Sequence, residues 1–414
     1  MKRTRVYILV CLAILLLASV LLTSCFFSKK SSSSSETKEY QVDFYCDGML
    51  VSGMKVKAGE VCEPLERVDK DYYTFVDWYA DEELTTLFDF TKPITKDVIV
   101  HAKMQENAIR TPEQLIALNN NNGYWRIKAD IDLSSIEEWT PIEGFTGKLD
   151  GQDHKITGLK IREENTYVGL FGQLKGNVYN LELTVDIQLS GEDPTPTLDT
   201  FCGVGGLCGY ATGATDRVIA KNITVKGTIN APGKVHVGGV IGRTGHRVVA
   251  CTNEATITGK INVGGIVGFH QSNNGQKVES GIFDCVNKAS VTGTTSVGGI
   301  VGSCYNKKTS SDSGLNQYIW RNENKGAVTG SDNIGGIIGM FNSAFNSSYV
   351  YLELRDCKNS GNVTATDHAA AFVGRLYSTS IESAWSTDTN TGLISGANAA
   401  QLYNNANGQP VNSI

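Results

Sequence analysis

The residues best suited to chemistry in this sequence form one acidic segment. Paired carboxylates on one strand face are what a polysaccharide lyase or hydrolase needs for general acid–base catalysis. Two of these carboxylates are two residues apart and would share a strand face, whereas a third precedes a glycine and is typical of a turn. We interpret the group as turn and cap residues, with a carbohydrate-active enzyme as the alternative. It comprises Asp130, Asp132, Asp150, Asp153 and His154.

The rest of the sequence offers no further catalytic pattern. The six histidines have no metal-ligand spacing, the cysteines form no C-x-x-C pair, and no nucleophile motif is present. The sequence therefore predicts no catalytic residue, no metal site and no cofactor, and favours a protein that is not an enzyme. The histidines are His101, His154, His236, His246, His270 and His368.

Aromatic residues suggest a binding surface instead of a catalytic one. Tyr305, Tyr318 and Trp320 border the longest insertion of the repeated region described below. Aromatic side chains beside a polar loop can stack on a sugar ring or fill a protein pocket. Alternatively, Tyr318 and Trp320 alternate along a strand and simply pack. We keep all three as candidate ligand-binding residues.

These aromatic residues lie in a repeated region. Segments such as "YVGLFG" and "VGGIVG" start at 167, 204, 237, 263, 297 and 334, so successive starts differ by 37, 33, 26, 34 and 37 residues. A second element, such as "CTNEATITG", precedes them at 251, 285, 322 and 357. Both elements are short, rich in Val, Ile and Thr, and alternate with a period of two, which predicts strands. Such strands bury their apolar face only by stacking coil on coil, so the sequence predicts a parallel β-helix or similar β-solenoid of six or seven coils.

The glycines of these segments invite comparison with a phosphate-binding loop. Such a loop needs a strand before it, a helix after it, and usually a lysine or acidic partner. The copies here are followed by turns, and several near-identical phosphate sites in series are implausible. We therefore interpret the glycines as structural, at corners where a Cβ would clash.

Length variation in the array falls on one side of each coil. The step from the T-G element to the next glycine pair is constant, at four residues from Gly259 to Val263 and from Gly330 to Ile334. The step from the glycine motif to the next repeat element varies, at 9, 17, 20 and 18 residues. Long loops on one face are where binding usually occurs. Neutral loop growth, which costs little stability, is the alternative.

Eight cysteines remain when Cys11 and Cys25 of the N-terminal segment are set aside. Three of them occupy one repeat position and should stack as an inward column, where cysteine packs as a small hydrophobe. A disulfide between Cys251 and Cys285 is possible in an oxidising compartment, with buried free thiols as the alternative. Cys46–Cys62 and Cys202–Cys208 are further candidate pairs. The three stacked cysteines are Cys251, Cys285 and Cys357.

The array resembles the GLUG-motif β-solenoid of bacterial surface proteins. The likeness rests on the glycine segments and on a lead-in of "IKADIDL", "WTPI" and "GFTGKLDGQDHKITGL", although Glu143 replaces a usual glycine. It covers residues 109–376, leaving 377–414 as a C-terminal cap or tail. A capping box of Thr111 and Gln114, with Pro112 at the first position, predicts a helix over 111–118 that covers the first coil.

Residues 40–108 form a separate aromatic-rich module that resembles the Listeria–Bacteroides repeat, a β-grasp-like surface module. The resemblance implies a spacer or adhesive unit and carries no catalytic residues. Met104 stands where the family usually has a tryptophan. The residues that carry the likeness are Gly48, Gly59, Pro64, Tyr73, Phe75, Trp78, Tyr79, Asp81, Asp89, Phe90, Pro93, Ile94, Thr95 and Ala102.

The N-terminus predicts export and a lipid anchor. Residues 1–24 have basic residues followed by an apolar run, as in a signal peptide. The following Leu22-Thr23-Ser24-Cys25 resembles the bacterial lipobox, which implies that Cys25 is lipidated and becomes the mature N-terminus. The alternative is a plain transmembrane anchor, for which about 17 apolar residues are the lower limit. Residues 25–39 contain a serine run typical of a flexible tether.

Composition and net charge limit the classes of partner that the protein can bind. The formal charge of −6 becomes −9 once Lys2, Arg3 and Arg5 are removed with the signal, which argues against nucleic acid. High glycine, low proline and few charges suit short strands and turns rather than disorder. We expect an all-β surface lipoprotein, on a Gram-negative outer membrane or a Gram-positive outer face, that binds a host or environmental protein or glycan through its variable-loop edge. A purely structural stalk or envelope component is the further alternative.

Overall fold

A computed structural model describes residues 37–194, 202–213, 218–273, 280–307, 317–343, 352–377, 388–401, 403–404 and 410–411. Within them the chain divides into two compact units, one of residues 37–68 and 76–103, the other of residues 69–75 and 104 onward. The predicted signal segment, Cys25 and most of the tether lie outside the described residues. In the part that is described, no helix has the length and apolar character needed to cross a membrane.

The first unit is built on a mixed four-stranded sheet in the order β2-β1-β4-β3. β1 pairs antiparallel with β2 and parallel with β4. Its core contains Phe44 and Trp78, which meet edge to face at 4.8 Å, and the Trp78 indole N–H donates to the Leu65 carbonyl at 3.0 Å. The strands are β1 (Glu39–Cys46), β2 (Met49–Lys57), β3 (Tyr73–Tyr79) and β4 (Val98–Glu106).

The second unit is a solenoid of parallel strands, as predicted. Three sheets run along it, and we call them sheets I, II and III. Sheet I has eight strands, which are β10 (Tyr167–Val168), β13 (Gly203–Gly205), β16 (Val235–Gly238), β20 (Ile261–Gly264), β25 (Thr295–Gly298), β30 (Asp332–Gly335), β35 (His368–Ala370) and β39 (Asn398–Ala400). Sheet II has nine strands, which are β11 (Phe171–Leu174), β14 (Cys208–Ala211), β17 (Ile241–Thr244), β21 (Val267–Asn273), β26 (Val301–Lys307), β31 (Ile338–Ser343), β36 (Val373–Leu376), β40 (Tyr403–Asn404) and β41 (Pro410–Val411).

Sheet III contains the remaining strands of every coil. In two successive coils one long strand of 12 or 13 residues crosses it, whereas in the coils before and after these several shorter strands take its place. These strands are β5 (Ala108–Ile109), β6 (Tyr124–Ile127), β7 (Ile131–Asp132), β8 (Lys148–Asp150), β9 (Lys155–Ile161), β12 (Asn177–Gln188), β15 (Val218–Asn230), β18 (Arg247–Val249), β19 (Thr252–Thr258), β22 (Ser280–Phe283), β23 (Val286–Asn287), β24 (Val291–Thr292), β27 (Gln317–Trp320), β28 (Glu323–Asn324), β29 (Val328–Gly330), β32 (Leu352–Arg355), β33 (Lys358–Asn359), β34 (Val363–Ala365), β37 (Thr389–Asn390) and β38 (Ile394–Ser395).

The predicted helix is present and caps the first coil. Helix α1 (Pro112–Ile116) is shorter than the predicted segment, and the Gln114 N–H donates to the Thr111 hydroxyl at 3.4 Å. Leu115 and Leu118 are fully buried in the same hydrophobic cluster as the inward residues of the solenoid. The helix therefore closes the open end of the apolar core.

The solenoid extends beyond the predicted end of the array at residue 376. Strands β37, β38 and β39 continue the parallel stacking, so sheet I has eight rungs instead of six or seven. β40 then pairs antiparallel with β41, with Tyr403 opposite Val411. The predicted C-terminal cap or tail therefore contains one more coil, which the sequence did not reveal because its glycine pair is missing.

A column of buried asparagines runs through the core of sheet III. The side chains of Asn253, Asn287, Asn324 and Asn359 are at most 1% exposed. Each donates from Nδ2 to Oδ1 of the next asparagine at 2.8 Å, and the column ends at Asn390. The second Nδ2 hydrogen goes to the carbonyl two residues further along the same coil, at 2.9–3.1 Å. Both amide hydrogens are therefore satisfied inside an apolar core.

The second glycine of four successive glycine pairs packs against this column. A Cβ on Gly265 would overlap the side chain of Asn287 and the carbonyl of Gly299. A Cβ on Gly299 would likewise overlap Asn324 and the Gly336 carbonyl. The glycines are therefore needed for close packing between coils, in agreement with their structural interpretation.

A second column of side chains lies at the corner of each coil that comes just before the asparagine position. Each of its first four members follows a residue with a left-handed backbone, with φ between +53° and +57°. Asn322 fills the place of a cysteine and accepts from the Cys285 N–H at 2.9 Å while donating to the Ile282 carbonyl at 2.8 Å. The column is Cys251, Cys285, Asn322, Cys357 and Asp388, and the left-handed residues before its first four members are Ala250, Asp284, Arg321 and Asp356.

The asparagine column predicts a large loss of stability from one substitution. Asn324→Ala removes a donor from Asn359 and from the Gly326 carbonyl and an acceptor from Asn287, all in the core. Each buried polar group left unpaired costs about 1–3 kcal/mol. We therefore expect the free energy of unfolding, measured by urea denaturation, to fall by roughly 3 kcal/mol or more. Thr329→Ala, which changes an exposed side chain in the same coil, is the control. Its free energy of unfolding should lie within about 0.5 kcal/mol of that of the parent protein. A loss below about 1 kcal/mol for Asn324→Ala would contradict this account of the column.

Asp388 makes the stability of the last coil depend on pH. Its Oδ1 accepts from the Cys357 N–H at 2.6 Å, whereas its buried Oδ2 has no partner among the described residues. Burial, with a smaller contribution from Asp356, raises the pKa of Asp388 to about 7. A folded-state pKa above the unfolded value means that stability is greatest below pH about 4, falls as pH rises, and levels off above pH 7.

Asp388→Asn should remove this dependence, because an amide supplies the uncharged group that Asn322 has in its own coil. We expect the melting temperature of the variant to exceed that of the parent protein at pH 8 and to approach it at pH 5. Thermal unfolding at both pH values, followed by circular dichroism, measures the difference. If the melting temperatures of variant and parent protein differ by the same amount at both pH values, Asp388 does not titrate in this range.

Candidate functional site

The variable connections meet one stack of strands in sheet III. Strands β18, β22, β27 and β32 pair in parallel and in register. Residues 274–279, 308–316 and 344–351, which lie outside the described residues, directly precede β22, β27 and β32. The stack is thus the fixed surface at which the predicted loop edge begins.

Alternation along these strands decides which side chains face outward. Ile282 and Ile319 point into the core and are fully buried. Their neighbours Phe283, Trp320 and Arg355 stand beside one another on the opposite face, because the register pairs Phe283 with Trp320 and Trp320 with Arg355. Residues 37 and 35 positions apart in the sequence therefore become neighbours.

Phe283, Tyr318 and Trp320 form what we call the aromatic cluster. The rings of Phe283 and Trp320 are 5.6 Å apart at 89°, and those of Tyr318 and Trp320 are 4.9 Å apart at 75°. Edge-to-face contacts of this kind stabilise an aromatic group beyond its buried area. Phe283 is 3% exposed, whereas Tyr318 and Trp320 are half-buried, so the latter two offer ring surface to a ligand.

Two arginines border the aromatic cluster. The Arg247 guanidinium lies 4.6 Å from the centre of the Phe283 ring, and that of Arg355 lies 5.2 Å from the Trp320 ring. Arg355 also forms an ion pair with Glu353 at 3.1 Å. The buried indole Nε1 of Trp320 has no acceptor among the described residues. The surface thus combines ring faces with hydrogen-bond donors, which suits a ligand with both apolar and polar faces.

The third candidate from the sequence, Tyr305, lies elsewhere. It is on β26 of sheet II, 6% exposed, and burial raises the pKa of its phenol. Its carbonyl accepts from the side chain of the buried Gln317 at 2.7 Å. Tyr305 therefore packs within the solenoid, because strand β26 continues through it before the insertion begins.

Sequence reasoning missed Phe283, Arg247 and Arg355. Phe283 and Arg355 each precede a repeat element by two residues, as Trp320 does, and Arg247 precedes one by four, as Tyr318 does. Aligning the repeats one above another could therefore have placed them in this cluster. The variable insertions between them hid this correspondence.

The acidic segment has the arrangement expected of turns. Asp130 accepts from the His154 ring at 3.0 Å and from the Lys155 N–H at 3.0 Å, and the latter contact chiefly lowers its pKa. Asp132 accepts from the Ser134 N–H and hydroxyl, both at 2.9 Å, which also lowers its pKa. A general acid needs a pKa shifted upward, so neither carboxylate resembles one.

The eight described cysteines are free thiols, so none of the candidate disulfides is formed. Cys62 Sγ is 3.5 Å from Met54 Sδ instead of being bonded to Cys46. Cys251 Sγ and Cys285 Sγ each donate to a backbone carbonyl two residues earlier, at 3.4 and 3.2 Å. Cys202 Sγ lies 3.7 Å from an Asp193 oxygen, and burial raises its pKa to about 12, which leaves it unreactive as a nucleophile.

Two curated proteins are similar to parts of the chain. Halomucin of Haloquadratum walsbyi is 32% identical over 132 residues, which is 29% of this chain and 1% of halomucin. A protein of Evansella cellulosilytica, provisionally named a Gly-rich membrane protein, is 33% identical over 160 residues, which is 36% of this chain and 18% of that protein. The chain thus covers only a small fraction of the length of these relatives.

A solved structure from Bacteroides ovatus, provisionally described as an immunoglobulin A1 protease, is also similar. It is 19% identical, the match covers 69% of this chain and 83% of that one, and the TM-score is 0.45. The resemblance of the array to GLUG-motif solenoids stays a prediction.

The N-terminal module matches a known family. Residues 40–103 fit the family described as Listeria-Bacteroides repeat domain. The matched segment coincides with the mixed four-stranded sheet of the first unit. Residues 40–103 are therefore a Listeria-Bacteroides repeat domain.

Proposed function

We propose that this protein is an exported surface protein that binds an extracellular protein or glycan through the variable-loop edge of its solenoid. The aromatic cluster of Phe283, Tyr318 and Trp320, with Arg247 and Arg355 beside it, is the observation that carries the proposal. It is where three long connections of different length begin or end on a rigid parallel sheet. Binding residues are often found on such loops because the scaffold fixes their ends.

The chemistry of the aromatic cluster favours a ligand with flat apolar faces and polar edges. Half-buried Tyr318 and Trp320 can stack on the C–H face of a sugar ring or on an apolar side chain. Arg355 can donate hydrogen bonds to the polar edge of such a ligand. Tyrosine, tryptophan and arginine are also the residues that contribute most at protein interfaces.

The names of the two relatives support a location outside the cell. One is a mucin by name and the other a membrane protein. A Listeria-Bacteroides repeat domain before the solenoid fits the same setting. In this proposal Cys25 carries the lipid that attaches the chain to a membrane, and nucleic acid is not a partner.

An enzymatic role has less support among the described residues. Asp130 and Asp132 already accept turn hydrogen bonds, and these contacts lower the pKa of each carboxyl. A purely structural stalk remains the alternative if no ligand is found.

Binding of the full chain to an array of glycans and extracellular-matrix proteins tests the proposal. Trp320→Ala and Tyr318→Ala should each weaken binding by roughly tenfold or more, because truncating an aromatic anchor typically costs about 2 kcal/mol. The matched control is the exposed Thr329→Ala, which should bind as the parent protein does. Melting temperature verifies that each variant is folded.

Two outcomes would contradict the proposal. Equal affinity of the aromatic variants and the parent protein would remove the aromatic cluster from the binding surface. Absence of binding to every class of ligand on the array would favour the stalk.

The lipid anchor has its own test. Cys25→Ala should release the protein from the membrane fraction and abolish labelling by a radioactive fatty acid, because the acyl chains supply the attachment. Cys11→Ala, a cysteine within the apolar run, is the matched control and should leave attachment unchanged. If the Cys25 variant stays in the membrane, residues 6–22 serve as a transmembrane anchor instead.

A further inference from the structure

Three potential metal ligands converge near the C-terminal end of sheet I. Asp332 is the first residue of β30, and His368 is the first residue of β35, directly after Asp367. The His368 Nδ1 lies 2.6 Å from an Asp332 oxygen and 3.2 Å from an Asp367 oxygen. The three ligand atoms lie within 4.8 Å of one another.

Strand register forces the two carboxylates together. The pairing of Ile334 with Ala369 places Asp332 directly beside Asp367 on adjacent coils. Like charges opposite each other destabilise a sheet unless something compensates them. A single ring nitrogen carries at most one hydrogen and cannot donate well to both carboxylates. The arrangement therefore leaves negative charge that a divalent cation would neutralise.

A separate observation concerns Asn333, the next residue along β30. It is 4% exposed, and its side-chain oxygen has no hydrogen-bond donor among the described residues. The same register places it beside His368. Its backbone N–H donates to Asp332 Oδ1 at 2.9 Å, and a buried side-chain oxygen without a donor is an acceptor suited to a cation or to a water molecule bound to one.

Asn398 supports the group from the other side. It pairs with His368 in register, and its Nδ2 donates to the Asp367 carboxylate at 2.5 Å. Hydrogen bonds of this kind orient the ligands of metal sites and hold them in place. The side chains of Asp332 and Asp367 are 35% and 47% exposed, so a cation can reach them from solvent.

We propose that Asp332, Asp367 and His368 bind a divalent transition-metal ion of the zinc class, which ties together the coils of β30 and β35. Zinc takes nitrogen and oxygen ligands at about 2.0–2.2 Å in a tetrahedron, which puts neighbouring ligand atoms about 3.3–3.6 Å apart. The 3.2 Å from His368 Nδ1 to Asp367 is close to this spacing. The 2.6 Å from Nδ1 to Asp332 is a hydrogen-bond distance, so these two atoms move apart when the ion binds. Calcium fits less well, because it prefers six to eight oxygen ligands and the site offers an imidazole.

No sequence pattern indicated this site, since no histidine has metal-ligand spacing. His368 and Asp332 are 36 residues apart, about one repeat, and only the stacking of coils unites them. The expectation that the protein has no metal site is therefore replaced by this proposal.

Zinc titration of the full chain, freed of metal by EDTA and dialysis, tests the site. Isothermal titration calorimetry with zinc chloride should give one equivalent bound, and zinc should raise the melting temperature. His368→Ala and Asp367→Asn should each weaken zinc binding by roughly tenfold or more and remove the thermal shift. The matched control is His154→Ala, because His154 contacts a single carboxylate, that of Asp130, at 3.0 Å.

The result that would overturn the proposal is the absence of stoichiometric zinc binding, or binding that persists in both His368→Ala and Asp367→Asn. If only His154→Ala loses zinc binding, the ion binds at the acidic segment, and this result also overturns the proposal. If Asp367→Asn melts abnormally in EDTA, Asp332→Asn, which preserves side-chain size, provides the same test. Calcium chloride in place of zinc should leave the melting temperature unchanged, and a larger shift with calcium would refute the zinc class.

Discussion

In-register stacking of successive coils is the constraint on which the rest of this structure depends. Every side chain lies directly above and below its equivalents, about 4.8 Å away, so each position must tolerate a copy of itself. Apolar residues meet this condition easily, as the column of Val263, Val297 and Ile334 does. The buried asparagines meet it differently, because an amide can donate to the same amide in the next coil while a glycine leaves room beside it.

The same constraint creates both candidate sites. Stacking brings Phe283 beside Trp320 and thereby builds the aromatic cluster from separate repeats. It also brings Asp332 beside Asp367, a pair of like charges that a solenoid cannot separate without breaking register. Function in such a fold therefore arises where a column departs from its usual residue type. The loops of variable length begin at one of these departures, and the last coils contain the other.

Much of the architecture could be predicted because the repeats are regular. The glycine pairs, the constant step to them and the period-two alternation fixed an all-β solenoid, and the capping box fixed the helix before it. The extra coil at 389–400 could not be predicted, since Ala400 and Gln401 stand where the glycine pair would be. The asparagine column was visible as the third residue of each repeat element, but a polar residue in a strand is ordinarily read as outward-facing. The position of Tyr305 on sheet II, away from the aromatic cluster, could not be predicted because the end of a strand inside an insertion has no sequence signal.

The reversed strand β41 has a consequence for self-association. The edge of a parallel solenoid is a template on which an identical chain can add further coils, which is how fibrils with stacked strands grow. At the end of sheet II, β41 runs antiparallel to β40, with Tyr403 opposite Val411. A further coil whose strand ran in the direction of β40 would meet β41 antiparallel, so it could not continue the parallel register of sheet II there. A change of direction in one short strand thus terminates the growth of sheet II and opposes fibril formation at that edge.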